Sequence, residues 1–423
     1  MNDPGPIPGG RYGWKKNHSA NHVLRPEFYE MVHERNIVDS KVRQVFTPHQ
    51  PIQPGQELTG RRTEIARLIA VLDTPGHHAL LYGARGVGKS SLANAASHQL
   101  GLATTQPYFI KRCDHTDTFE SIFKEPLKSA GLDVLRSEYV EQETRKRNSE
   151  GGIPKMLAGA LEKQSARSAT YRPAATIGAS DAARHLSKVR GFMIVDELDV
   201  VCDETARRKT AELIKHLSDA GSKFKLLLVG IAENAGELTG AHPSVQRSLQ
   251  ETELAPMSDD QLYDIVGEGA QKLRLTFEDE VTSSIVRISA GYPHFTHLLA
   301  LKCAEQAIRN NSRLITPPDL QRAMGTAAQD AEGILRQSYN GSIRTQPQVY
   351  GQILTAAASF DGIEFTKRQL DAAIPTGINL AGPLRRLVSN DGTTILRRAG
   401  TGVYRFSDPR MRCYIRIRDA NIQ

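Results

Sequence analysis

The stretch ALLYGARGVGKSSLANAAS, residues 79–97, constrains the chain more than any other. An apolar run enters a glycine-rich loop, and the chain leaves that loop in a small-residue helical pattern, so the segment reads strand, loop, helix. The loop spells G-x-x-x-x-G-K-S at Gly83, Gly88, Lys89 and Ser90. Its glycines let backbone N–H groups turn inward on a phosphate, and the N-terminus of the following helix adds partial positive charge. Lys89 would reach the β- and γ-phosphates of a nucleotide, and the Ser90 hydroxyl would bind Mg2+. Ala84, Arg85, Gly86, Val87 and Ser91 complete the cradle.

A phosphate loop of this type predicts a neighbouring apolar strand that ends in a metal-holding carboxylate. FMIVDE supplies it, with Asp196 at the tip and Glu197 next to it, placed to polarise an attacking water; the pair argues for hydrolysis as well as binding. Asp199 reads as a surface acid. A further apolar strand, Leu226 to Ile231, ends at Glu233 and Asn234, where strand ends meet the ligand crevice of a parallel sheet; either residue would order the lytic water, or simply cap the strand. Downstream, Arg247 has no acidic neighbour before Glu251. It reads either as a surface arginine or as a group that neutralises a transferring phosphoryl, often across a subunit boundary.

Continuous apolar runs alternating with helical stretches predict a doubly wound α/β domain with a parallel sheet over residues 46–257. Residues 141–190 within it hold ten Lys/Arg against five Asp/Glu and few large apolar side chains. They read as an inserted segment, either solvated or facing DNA. Residues 1–45 read as an arm ordered only in part. From 258 to 345 the pattern is helical almost throughout, with Gly291 closing one helix and Pro293 opening the next. Residues 346–423 read as three helices followed by a hairpin, a winged helix.

In that last domain Leu380, Leu384, Leu387 and Val388 form the core stripe of the third helix, which leaves Asn379, Arg385 and Arg386 outward. Arg397, Arg398 and Arg405 flank the wing, and from Gln348 to the last residue eleven Lys/Arg stand against six Asp/Glu. Phosphate contacts to DNA fit this surface, and so does packing on a partner protein. The whole chain carries a formal charge of +7, which leans toward an anionic partner. The first residues lack the apolar core of a secretory signal, and the sequence contains no apolar run of membrane-spanning length, so a cytoplasmic protein without a membrane partner is expected. Four scattered cysteines without C-x-x-C spacing suggest neither disulfides nor zinc, only reduced, half-buried core residues.

Together these elements resemble the AAA+ and STAND superfamily of P-loop ATPases, nearest to origin-recognition-type and archaeal-type ATPases that end in a winged helix. The resemblance spans residues 46–420 and rests on LTGRRTEI, GARGVGKS, IVDE, the S-x-x-R at Ser244 to Arg247, SAGYPHFTHLLA and YRFSDPRMRCYIR. It implies ATP and Mg2+ as ligands, Gly60 and Arg61 near the adenine, and Arg247 as an arginine finger. Gly291-Tyr292-Pro293 is similar to the G-x-P of STAND lids, whose proline packs on the base. Initiator-type lids carry an arginine soon after that glycine, whereas this chain has His294, either a ligand contact or a helix-start residue. The expected activity is a Mg-dependent ATPase whose nucleotide state switches engagement of DNA or a partner. The other reading is a scaffold that assembles with ATP, as a homo-oligomer or with a separate effector, and never touches DNA.

Overall fold

The computed structural model describes residues 40–53, 55–104, 107–132, 139–140, 170–171, 176–230, 245–330, 333–374, 379–388 and 394–420. Five strands, β1 (His78–Tyr82), β2 (Tyr108–Arg112), β5 (Gly191–Asp196), β6 (Phe224–Gly230) and β7 (Leu249–Glu253), form one sheet in the order β2-β5-β6-β1-β7, and every neighbouring pair is parallel. Two-residue strands β3 (Tyr139–Val140) and β4 (Thr170–Tyr171) pair separately. Side chains alternate across the sheet. Ala79, Leu81, Ile194 and Leu227 face one core, with α1 (Arg62–Asp73) and α2 (Lys89–Thr104); Leu80, Met193, Val195 and Leu228 face the other. That second core is closed by α3 (Phe119–Ser129), α4 (Ala179–Leu186) and α5 (Glu204–Asp219).

Two sequence expectations change here. Helix α4 lies inside the segment read as an insertion up to residue 190. Its Ala179, Ala182, Ala183 and Leu186 are buried against the core, so the described part from 176 onward belongs to the domain itself. A stripe of alanines lets the neighbouring helix α5 approach closely, so it can be buried with few large side chains. The arm also ends earlier than residue 45, because 40–45 are helical, Val42 is buried and Arg43 pairs with Glu305 at 2.9 Å. Residues 1–39 and most of 141–175 lie outside the described residues.

After the sheet come α6 (Asp259–Leu273), α7 (Asp279–Ser289), α8 (Pro293–Arg309), α9 (Pro317–Asp330) and α10 (Gly333–Ile343), tied by a short parallel pair β8 (Thr276–Phe277) and β9 (Leu314–Ile315). Ser258 caps α6 in a reciprocal box with Gln261, and Pro293 opens α8. The remainder runs α11 (Pro347–Ser359), β10 (Glu364–Thr366), α12 (Lys367–Ala373), α13 (Ala381–Val388), β11 (Leu396–Gly400), β12 (Val403–Phe406) and α14 (Arg410–Ala420), with an antiparallel sheet in the order β10-β12-β11.

Reading three helices and a hairpin missed β10 and above all α14, which packs back on α9 and α11. Arg412 donates to the carbonyls of Asp361 and Gly362, and Arg416 donates to those of Ala358 and Phe360 and, in α7, of Arg287. Among the described residues no helix is long and apolar enough to cross a membrane. Cys113, Cys303 and Cys413 are buried thiols, while Cys202 is exposed, unlike the half-buried position expected for all four.

Candidate functional site

Strand β1 delivers the chain into the loop at Gly83, and α2 begins at Lys89. Gly86 and Gly88 hold φ of 85° and 97°, in the left-handed region that side chains disfavour, which is what turns successive peptide groups toward one point. Lys89 Nζ donates to the carbonyls of Gly83 and Ala84, 3.0 Å each, so the ammonium lies across its own loop. Burial draws the Lys89 pKa below its ordinary value, against the opposing pull of Asp196, Asp199 and Glu197. An ammonium so desolvated gains most from an anionic ligand.

The tip of β5 carries the acids. Asp196 is buried and its Oδ1 accepts from the Glu197 N–H at 3.0 Å. Glu197 is exposed and stands at φ 59° and ψ 34°, a left-handed conformation that costs a non-glycine residue about 1 kcal/mol. Asp199, read as a surface acid, lines the same cavity as these two.

That cavity, about 620 Å3, is where the separate motifs meet. Its walls include Arg85 to Ser91, Asp196, Glu197, the turn-containing residues 47–52, Arg61, and from the helices beyond the sheet Ile265, Gly269, Pro293 and His294. Its size suits a nucleotide. Pro293 comes close to the loop: a Cβ on Gly88 would lie 3.8 Å from its Cγ. His294 is a helix-start residue, the second of α8; it also lines the cavity, and its Nδ1 bonds the Pro48 carbonyl at 2.5 Å.

The adenine-side pair divides. Arg61 lines the cavity, yet its guanidinium is bound to Glu64 at 2.6 Å and to the Ala255 carbonyl at 2.7 Å. Burial pushes the Glu64 carboxyl up, but Arg61 and Gln261 outweigh it and hold the pKa below the ordinary range. Gly60 is a packing glycine: a Cβ there would stand 2.8 Å from Met257 Cε and 3.1 Å from the Gln261 carbonyl, at the start of α6. Arg61 and Gly60 thus join α1 to the helical region, while Arg61 also lines the cavity.

A residue the sequence reading missed is Arg410. It is buried, lines the cavity, and its Cδ would meet a Cβ on Gly86 at 2.7 Å. Asp408 holds the guanidinium through Nε at 3.0 Å and Nη2 at 2.7 Å. The signals were Asp408-Pro409 ahead of a helix and the family-like stretch YRFSDPRMRCYIR, both silent about what the arginine touches.

Other expected residues stand apart. Arg247 lines a depression with His77 and Lys215, at the end of β1 where the strand begins, whereas the phosphate loop follows its other end. It is not among the residues that line the cavity. Glu233, Asn234 and Ser244 lie outside the described residues. Of the residues assigned to nucleic acid, Asn379 is exposed but its Oδ1 accepts from the Ala381 N–H at 3.0 Å, as a helix cap. Arg385, Arg386, Arg397 and Arg398 are exposed. Arg405 is partly buried and pairs with Glu364 at 3.7 Å. Arg397 and Glu364 both sit opposite Arg405 in register, while Arg398 sits opposite Tyr404, so the wing arginines are split between two faces of the small sheet.

A comparison with curated proteins returned no match. Similar solved structures include the ORC2 protein of Aeropyrum pernix in ADPNP–ADP complexes (14% identity, covering 90% of this chain and 98% of that one, TM-score 0.49). The Walker-type ATPase PABY2304 of Pyrococcus abyssi follows at 17% identity, with 88% and 99% covered and a TM-score of 0.47. The ORC1 protein of Aeropyrum pernix in complex with DNA shares 16% identity, with 89% and 96% covered and a TM-score of 0.45. Likenesses this distant say nothing of activity. The model of the family Novel STAND NTPase 1, in contrast, matches residues 55–361, most of the chain including the loop, the Asp196 strand and the helices beyond them. The chain belongs to the novel STAND NTPase family nSTAND1.

Proposed function

We propose that the protein is a Mg-dependent ATPase whose nucleotide state is transmitted to its C-terminal region, read as a winged helix over 346–423 that follows a helical lid over 258–345. The observation that carries this reading is one cavity shared by the phosphate loop, the Asp196-Glu197 tip, Pro293 of α8 and Arg410 of α14. A nucleotide there would contact three parts of the chain at once. The loop N–H groups and Lys89 bind the phosphates. Ser90 and Asp196 are the residues fit to hold magnesium, since a hydroxyl at the helix start and a buried carboxylate line the same cavity. Bound magnesium supplies neutralisation of phosphate charge. Glu197 orients and deprotonates the attacking water. Arg410 leaves Asp408 for the phosphates in one nucleotide state and stays with it in another, which biases α14 between two positions. Arg247, facing away, serves a neighbouring subunit's cavity, so the active form is an assembly.

Phosphate release tests the catalytic half. Lys89→Ala abolishes it through lost binding, whereas Glu197→Gln binds ATP and turns it over at least 100-fold more slowly, in line with removal of a general base. Turnover unchanged in both variants overturns the assignment.

The scaffold reading is favoured by the Arg405–Glu364 pair and by the division of the wing arginines between two faces, which dilute any single basic surface. Titration of labelled duplex at two salt concentrations separates them. DNA engagement requires affinity that falls steeply with salt. No binding at low salt leaves a protein effector as the partner.

A further inference from the structure

Residues 46–53, FTPHQPIQ, cannot hold their own position. Pro48 and Pro51 lack N–H groups, and among the described residues the segment pairs with no strand. It is gripped at both ends by side chains of other elements. On α2, Ser91 Oγ accepts from the Ile52 N–H at 3.3 Å, and Asn94 Nδ2 donates to the Ile52 carbonyl at 2.9 Å. On α8, His297 Nδ1 accepts from the Thr47 N–H at 3.3 Å, and His294 Nδ1 donates to the Pro48 carbonyl at 2.5 Å. Each grip is an i,i+3 pair on one helix face that takes one N–H and one C=O of the strap. Asn94 is buried, and His297 is held neutral, its pKa drawn down to about 4 by burial and the neighbouring His294, as an acceptor at Nδ1 requires.

Between the two grips, His49 and Gln50 line the nucleotide cavity. We propose that this double grip is the base-recognition device. Ser91 with Asn94, and His294 with His297, are positioning residues that hold the His49–Gln50 peptides against the purine. The inference rests on the nucleotide site proposed above and adds what selects the base. Adenine presents an amino donor beside a ring acceptor, while guanine presents an acceptor beside a ring donor. A turn peptide fixed in place offers its C=O and N–H in one order, which matches one purine and leaves buried groups unpaired against the other. A strap free to slide loses that preference.

Asn94 is the residue to test, because its amide is spent on the strap and its removal touches no phosphate contact. Asn94→Asp keeps the shape and turns a donor into a carboxylate facing the Ile52 carbonyl; Asn94→Ala removes the bond. Calorimetric titration of wild type and both variants with Mg–ATP, Mg–GTP and Mg–tripolyphosphate separates base from phosphate binding. The expected result is wild-type preference for ATP over GTP, a roughly tenfold loss of ATP affinity in the variants with that preference erased, and tripolyphosphate affinity within about twofold of wild type. The last value also certifies a folded phosphate loop. ATP affinity and preference kept in both variants overturn the proposal, and so does an equal fall for all three ligands, which would make Asn94 a general folding residue. Wild type that binds tripolyphosphate but does not discriminate ATP from GTP overturns the grip alone. Wild type that binds none of the three overturns the nucleotide site and the grip with it.

Discussion

His78 starts β1 fully buried, and its Nδ1 accepts the Leu226 N–H at 3.0 Å. Burial, with the nearby Lys225 and His77 charges, pulls its pKa from 6.5 to about 3. His297 is drawn down to about 4. A native pKa below the unfolded one means that the unfolded chain takes up the proton first as pH falls below about 6.5, so stability declines from there downward. By pH 5 each histidine costs roughly 2 kcal/mol. Urea unfolding at pH 7 and pH 5 should show this loss, and His78→Asn, whose amide oxygen can accept the same bond, should remove about half of it; an unaltered pH dependence contradicts the burial argument. At this scale the sequence motifs singled out Lys89, Ser90, Asp196 and Glu197, which line one cavity, because each motif is a run of neighbours in the chain. The sequence concealed Arg410 and the two histidine bonds to the strap, because those partners are brought together only by folding.

Elements were legible where burial uses large apolar side chains. The runs that became β5 and β6 are buried along nearly their whole length, as central parallel strands must be. Helices α4 and α14 were not legible, for different reasons. Helix α4 buries mainly alanine, and a composition poor in large apolar residues resembles a solvated loop. Helix α14 buries Arg410 and Arg412 along with its apolar residues, their charge met by Asp408 and by backbone carbonyls, so its core face reads as surface. If α4 is a core helix, Ala182→Leu overpacks it and lowers stability by about 1–3 kcal/mol, whereas Arg184→Leu on its exposed face stays within about 0.5 kcal/mol. Denaturation midpoints check both, and equal effects contradict the placement of the helix.

On the scale of the whole molecule, α14 joins regions distant in sequence. Its first residue sits over the phosphate loop at Gly86, Arg412 and Arg416 hold the turn after α11, Arg416 and Cys413 hold the carbonyls that end α7, and Arg418 bonds the Tyr339 hydroxyl of α10. A change at Arg410 is thereby felt along one rigid helix. A nucleotide shifts such an equilibrium only by binding its two states unequally. The direct measurement is amide hydrogen exchange over residues 410–420 with Mg–ADP and with Mg–ATP, on wild type and on Lys89→Ala. The account predicts different protection in the two nucleotides for wild type and no difference for the variant. Identical exchange in wild type under both nucleotides would contradict it.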